Sequence, residues 1–366
     1  MPIIVLIAFF IASFLNASLH PIKTLSGVVR EPLPGSVEIA ARRYETFNYP
    51  GALPGSKTLL TGIRRTPNEN IVNISGFYEC PDQACVKAFV YRGTLRGRGS
   101  WNVLNFPSGP GRTVKATNLY GPNNGPNHGI QVVGNYTTEE TGSSTIGSLY
   151  QGKLDGSGQW TTLIPTVAAP DVVLNTIAHS THGGLVVGNY DTQLDEGRAF
   201  IYDIKKKLYY EIVKPNAISI TAYGIWHNRG NSYTIAGGYS SLDQVSGVDS
   251  AYLVDWDNKK HAFSNWRIYS YDNNPAKAIV THFDGITSDR QGGYYLTGDW
   301  LGVGDGPELA FFAHVPKKGK AIWSSVQVPP HQITSGNSVY RKAVIGVYTS
   351  PEDPEHTVNG YISFSH

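Results

Sequence analysis

The sequence predicts an all-β protein: a six-bladed β-propeller of four-stranded antiparallel blades, closed by an N-terminal strand in the last blade. Three observations carry that prediction. An apolar run ending in Gly-x-aromatic occurs six times. The 366 residues include 40 Gly, 22 Pro and 22 Tyr but one Met, which suits turn-rich aromatic strands and neither a helical bundle nor a disordered chain. The sixth repeat stops one strand short, and a strand of the missing kind stands near the N-terminus.

The chain opens on PIIVLIAFFIASFL (2–15), shorter than the roughly 20 apolar residues a membrane-spanning helix needs. Asn16-Ala17-Ser18 follow, where a signal peptidase can cut. Residues 1–19 read as a secretory signal peptide and 20–366 as a single propeller domain. A secreted protein with no membrane segment in its mature form is expected. Next comes ARRYETFNYP (41–50), with aromatic alternation and a terminal proline. An open edge strand invites aggregation, so this segment is expected to pair with the chain near 358–364.

The repeats follow. Gly76, Gly134, Gly188, Gly237, Gly298 and Gly346 are separated by 58, 54, 49, 61 and 48 residues, about one four-stranded blade plus loops. Each Gly-x-aromatic run is strand b of its repeat. Strand a precedes it with a small or polar residue and an aliphatic: Gly62-Ile63, Asn118-Leu119, Thr176-Ile177, Gly224-Ile225, Gly285-Ile286 and Ser338-Val339. Strand c follows with a small residue and an apolar pair, from Ala88-Phe89-Val90 to Gly360-Tyr361-Ile362, with Ser148-Leu149-Tyr150 in the second repeat. Strand d alternates and usually ends in proline, as in WNVLNFP (101–107) and WTTLIP (160–165).

Only two cysteines occur, Cys80 and Cys85, too few for a four-ligand zinc site. In an oxidising compartment they are expected to form a short disulfide. Asn73 and Asn135 begin N-glycosylation sequons, both inside predicted strands.

Thirty Lys and Arg balance 28 Asp and Glu, so the net charge of +2 gives no electrostatic case for nucleic acid or an anionic membrane surface. Zinc-protease, serine-hydrolase-elbow and P-loop motifs are absent. LDGSGQW (154–160) has the wrong spacing for a sialidase Asp box, and KKK (205–207) reads as a solvated turn.

The third repeat, NTIAHSTHGGLVVGNYDTQLDEGRAFIYDI (175–204), resembles the HAF-type repeats of secreted propellers, N-x-x-G-x-VVG-x-Y followed by AF-[LIV]-Y. The second repeat matches through VVGNY, and the other four are degenerate copies. These motifs encode blade packing and not chemistry. The layout, a signal peptide and one six-bladed propeller, resembles the secreted fungal propellers that act as hetero-Diels–Alderases in tropolone–sesquiterpene biosynthesis. That likeness carries over no residue.

In a propeller the innermost strands line a central channel, and ligands bind at its mouth. Just before the small–aliphatic pairs stand Thr61, Thr117, Asn175, Tyr223, Asp284 and Asn337, with His282 beside them. Toward the other end of the same strands lie Arg64, Tyr120, His179, Trp226, His227, Tyr340 and Arg341. Tyr223, His282 and Asp284 are the expected catalytic residues, donating hydrogen bonds to a polarised carbonyl or enone. Thr117, Asn175 and Asn337, with Tyr120, Trp226 and Tyr340 as stacking surfaces, are the expected substrate-binding residues. The expected function is a cyclisation of hetero-Diels–Alder type on a small, partly aromatic molecule in natural-product biosynthesis. No cofactor or metal is invoked, and a monomer or weak dimer is expected. One alternative is a non-catalytic glycan- or protein-binding propeller. Another is a calcium-dependent lactonase or phosphotriesterase-like hydrolase holding its ion on Asn175, Asp284 and Asn337. The single carboxylate of that ring counts against the latter.

Overall fold

The computed structural model of the chain describes residues 44–81, 85–242, 248–304, 307–328, 333–349 and 357–364. The expected signal peptide and residues 41–43 lie outside them. The described chain is all-β, with three short 3-10 turns.

Six sets of four strands recur in chain order. In the first, Lys57–Arg65, Val72–Glu79, Val86–Gly93 and Gly99–Val103 pair successively and antiparallel as strands a to d. The last set runs Ile333–Tyr340, Ala343–Thr349, Asn359–Phe364 and then Tyr44–Thr46 from the other end of the chain. There Glu45 stands opposite Ile362. Strand a of each set packs on strand a of the next, and Lys57–Arg65 touches both Val114–Asn124 and Ile333–Tyr340.

Burial follows position within a set. Strand b is buried on both faces and reads as an apolar run, strand a mixes buried apolar with polar residues, as in KTLLTGIRR and VLNTIAHSTH, and strand d alternates or is half exposed. The core lies between sets. Phe283, Leu296 and Phe311 pack with Trp323 in one such layer. The glycine of strand b faces the aromatic of strand c in five sets: Phe89, Phe200, Tyr252, Phe311 and Tyr361. In the second set Gly134 faces Ser148, so Ser148 and not Leu149 takes the aromatic's place.

Cys80 and Cys85 are bonded across the b–c connection of the first set, with Cα atoms 5.3 Å apart. The two sequons need correction as glycosylation sites. Asn73 and Asn135 are 0% and 1% exposed on central b strands, and Asn73 Oδ1 accepts from Arg92 Nε at 2.8 Å. A glycan has no room at either.

Candidate functional site

The repeated glycine does more than pack. In each set, strand a bulges opposite or just beyond it. The register breaks between Leu60 and Gly62, Leu119 and Pro122, Ala178 and Ser180, Phe283 and Gly285, and Gly336 and Ser338. In the fourth set strand a divides into Ala217–Ile220 and Gly224–Arg229. The bulge turns a strand-a carbonyl toward the glycine. A Cβ on Gly76, Gly134, Gly188, Gly237, Gly298 or Gly346 would overlap the carbonyl oxygen of Leu59, Asn118, Ile177, Thr221, His282 or Ser335. Only glycine admits so close a backbone.

The bulged residues are Thr61, Tyr120, His179, Tyr223, Asp284 and Asn337, and all six line one cavity. This ring corrects two sequence assignments. Thr117 is buried away from it, with its hydroxyl accepting from Phe106 N at 3.1 Å. Asn175 Oδ1 accepts from Thr145 N at 3.0 Å, and its amide reaches Asp191. Tyr120 and His179 occupy their places. Counting from the strand-b glycine back across the hairpin finds the ring, whereas the small–aliphatic pair does not mark the same register in every repeat. Edge-to-face contacts of Tyr120 with His179 at 5.1 Å and of His179 with Tyr223 at 4.5 Å crowd this level of the channel.

At the end where strands b lead into strands c, a second cavity has apolar walls from Leu59, Ile333, Val347, Tyr348 and Val358. Its floor is polar: Tyr223, His282, Asp284, Asp299, Glu308, Ser335 and Asn337. It measures about 710 Å3 with its open mouth, and about 60 Å3 of this admits the centre of a water-sized sphere. The inner part is therefore narrow.

Strand Ala278–Ser288 carries His282 and Asp284, with Nδ1 and Oδ1 3.0 Å apart. Asp299 stands opposite His282 on the next strand. Burial alone would strip the proton from His282, but the acidic groups around it, Asp284 above all, outweigh it and raise its pKa to about 10. Nδ1–H then points at Asp284, and Nε2–H has no partner among the described residues.

Burial, and then the repulsion of Asp284 and Glu308, holds Asp299 well above the usual carboxylate range. Hydrogen-bond accounting agrees. Ser335 Oγ lies 2.7 Å from Asp299 Oδ2 and 2.9 Å from Asn337 Oδ1. Asn337 Nδ2 donates to Leu60 O at 2.6 Å, which fixes its Oδ1 as an acceptor. One hydroxyl proton cannot serve two acceptors, so a protonated Asp299 donating to Ser335 satisfies the chain. Burial likewise raises Asp284, Glu308 and Tyr223, and it pushes neighbouring Asp249 up to about 6.

Trp226 and Tyr340 do not join this site, a second correction. Trp226 lies toward the a–b turns, beneath the Arg64 guanidinium. Tyr340 donates to Glu69 O at 3.3 Å and lines neither cavity. Asp299 and Glu308 are the residues that sequence reasoning missed. Asp299 sits between the glycine and the aromatic of GDW, a position the repeat exposes but does not mark as acidic.

His282, Asp284 and Asp299 each offer a ligand atom, all within 4.8 Å of one another, so they can hold a cation. Asp299 adds a second carboxylate beside Asp284, which weakens the case against a metal. Calcium prefers oxygen ligands throughout, whereas an imidazole ligand suits transition metals.

No family model matches the chain, and no curated protein matches it either. Solved structures do. A protein of unknown function from Dyadobacter fermentans matches with a TM-score of 0.56 at 9% identity, over 88% of this chain and 98% of that one. AofleA from Arthrobotrys oligospora matches at 0.42 and 12% identity, over 88% of this chain and 82% of that one. The parainfluenza virus 5 hemagglutinin-neuraminidase ectodomain matches at 0.48 and 10% identity, over 88% and 83%. The first likeness is one of fold alone, and the two lower scores carry no argument.

Proposed function

We propose that the protein is a secreted six-bladed β-propeller that directs a hetero-Diels–Alder-type cyclisation of a small organic molecule at the b–c end of its channel. The ring reading is supported by the strand-a contacts running from each set to the next and by Tyr44–Thr46 pairing into the last set. Secretion is supported by the disulfide, and no described helix is long and apolar enough to cross a membrane.

One observation carries the chemistry: a buried His282 whose Nε2 has no partner among the described residues, on the floor of an apolar-walled cavity. A carbonyl or enone oxygen placed there accepts a hydrogen bond from Nε2–H, and Tyr223 and the acid form of Asp299 hold further protons nearby. Donors fixed in advance stabilise the charge that shifts onto the oxygen and hold the reacting ends in line. The narrow floor takes the carbonyl, and the apolar mouth takes the rest of the molecule.

The test is turnover of conjugated carbonyl substrates. His282→Gln is expected to slow it on the order of 100-fold, the usual cost of one such donor. Tyr223→Phe is expected to slow it less and leave folding intact. Unchanged binding and product stereochemistry in Tyr223, His282 and Asp284 variants would sink the reading. A second reading, a metal-dependent hydrolase, is favoured by the ligand spacing of His282, Asp284 and Asp299. Loss of activity in chelator, restored by a divalent cation, selects it, and with an imidazole among the ligands zinc or manganese should restore it better than calcium. The binding-module alternative has less support, since none of the fully exposed large hydrophobics among the described residues is aromatic.

A further inference from the structure

Arg64 presents a charge problem at the opposite end of the channel. Strand Lys57–Arg65 carries it past the bulge at Thr61 and into the cavity on the a–b side. The residue is 7% exposed. Its two terminal nitrogens donate to the carbonyls of Ile286 and Ile225, both at a long 3.4 Å. Nε has no partner among the described residues. The Trp226 ring lies 5.1 Å from the guanidinium carbon.

No carboxylate among the described residues pairs with this cation. Asp284 lines the same cavity but is bonded to His282. Glu69, the nearby surface acid, is held by Arg65, Arg290 and Arg341. Burial keeps His179 and His182 neutral, and Arg64 itself pushes His182 further down. The guanidinium remains charged at neutral pH even though burial lowers its pKa to about 10. A buried charge left without a counter-charge is costly.

We propose that this cavity binds a small monovalent anion, from chloride up to formate or nitrate in size, against the Arg64 guanidinium. About 30 Å3 admits the centre of a water-sized sphere, room for one or two such species. Sulfate and phosphate are larger and carry more charge than one guanidinium offsets. Tyr223, Asp284 and Asn337 line this cavity and the one at the other end, but Arg64, which holds the anion, lines only this one.

Chloride NMR linewidth on the full mature protein tests it. Saturable broadening is expected, reversed by bromide, nitrate or formate and not by sulfate. Arg64→Gln should abolish it, and Arg290→Gln, which removes an exposed arginine outside the cavity, should leave it. If Arg64→Gln does not fold, bromide-soaked crystals of the unaltered protein decide through an anomalous peak beside the guanidinium. Broadening that never saturates, that sulfate reverses equally or that survives Arg64→Gln overturns the proposal, as does a bromide soak with no peak there.

Discussion

Gly298 places two functional side chains without having one of its own. Its missing Cβ lets the His282 carbonyl approach, and the bulge that results turns Asp284 into the channel. Gly298→Ala must push that backbone away. The expected cost is about 3 kcal/mol or more, with loss of activity in whatever fraction folds. Urea unfolding together with a turnover assay checks both. Asn73 and Asn135 make a second residue-scale prediction. Because both are buried, protein expressed through a eukaryotic secretory pathway should keep its mass after glycosidase treatment.

At the scale of elements, two short connections differ in what they hold. The Cys80–Cys85 bond closes a small loop between strands b and c of the first set. Loop-closure entropy for so small a ring is about 2 kcal/mol, so Cys80→Ser should lower stability by no more than that. The N-terminal segment reaches further. Tyr44–Thr46 pairs with the last set, while Phe47 packs on Tyr91 and Trp101, and Tyr49 stacks on Tyr78 and Phe89 of the first. It ties the two ends of the chain together. Phe47→Ala is expected to cost about 3–5 kcal/mol, and deletion of residues 20–50 should give an aggregating protein by light scattering. A soluble truncation that melts cooperatively would count against closure.

Across the whole molecule, two buried histidines pushed in opposite directions shape the response to pH. His179 is pushed by burial from 6.5 down to about 3. The unfolded chain then takes up a proton that the fold refuses, and stability is lost as pH falls from about 6.5 toward 3. His282 is raised to about 10, so its contribution is complete below about 6.5 and is lost as pH rises through 10. His179→Gln should flatten the acid limb and His282→Gln the alkaline limb of a plot of unfolding free energy against pH.

Periodicity by itself determined the six repeats, the strand order within each and the strand held in reserve near the N-terminus, and the pair of nearby cysteines pointed to the disulfide. These are local properties: a glycine that must be glycine, an alternation, a proline that ends a strand. Tyr223, Asp284 and Asn337 were legible because their repeats keep the small–aliphatic pair in register with the bulge. Thr117 and Asn175 were misplaced because the second and third repeats shift that register, and only cross-strand pairing shows that Tyr120 and His179 face the axis. Tertiary structure alone brought Asp299 and Glu308 to His282 and left Arg64 without a counter-charge. Burial and through-space charge decide protonation, and neither has a period that can be read along a chain.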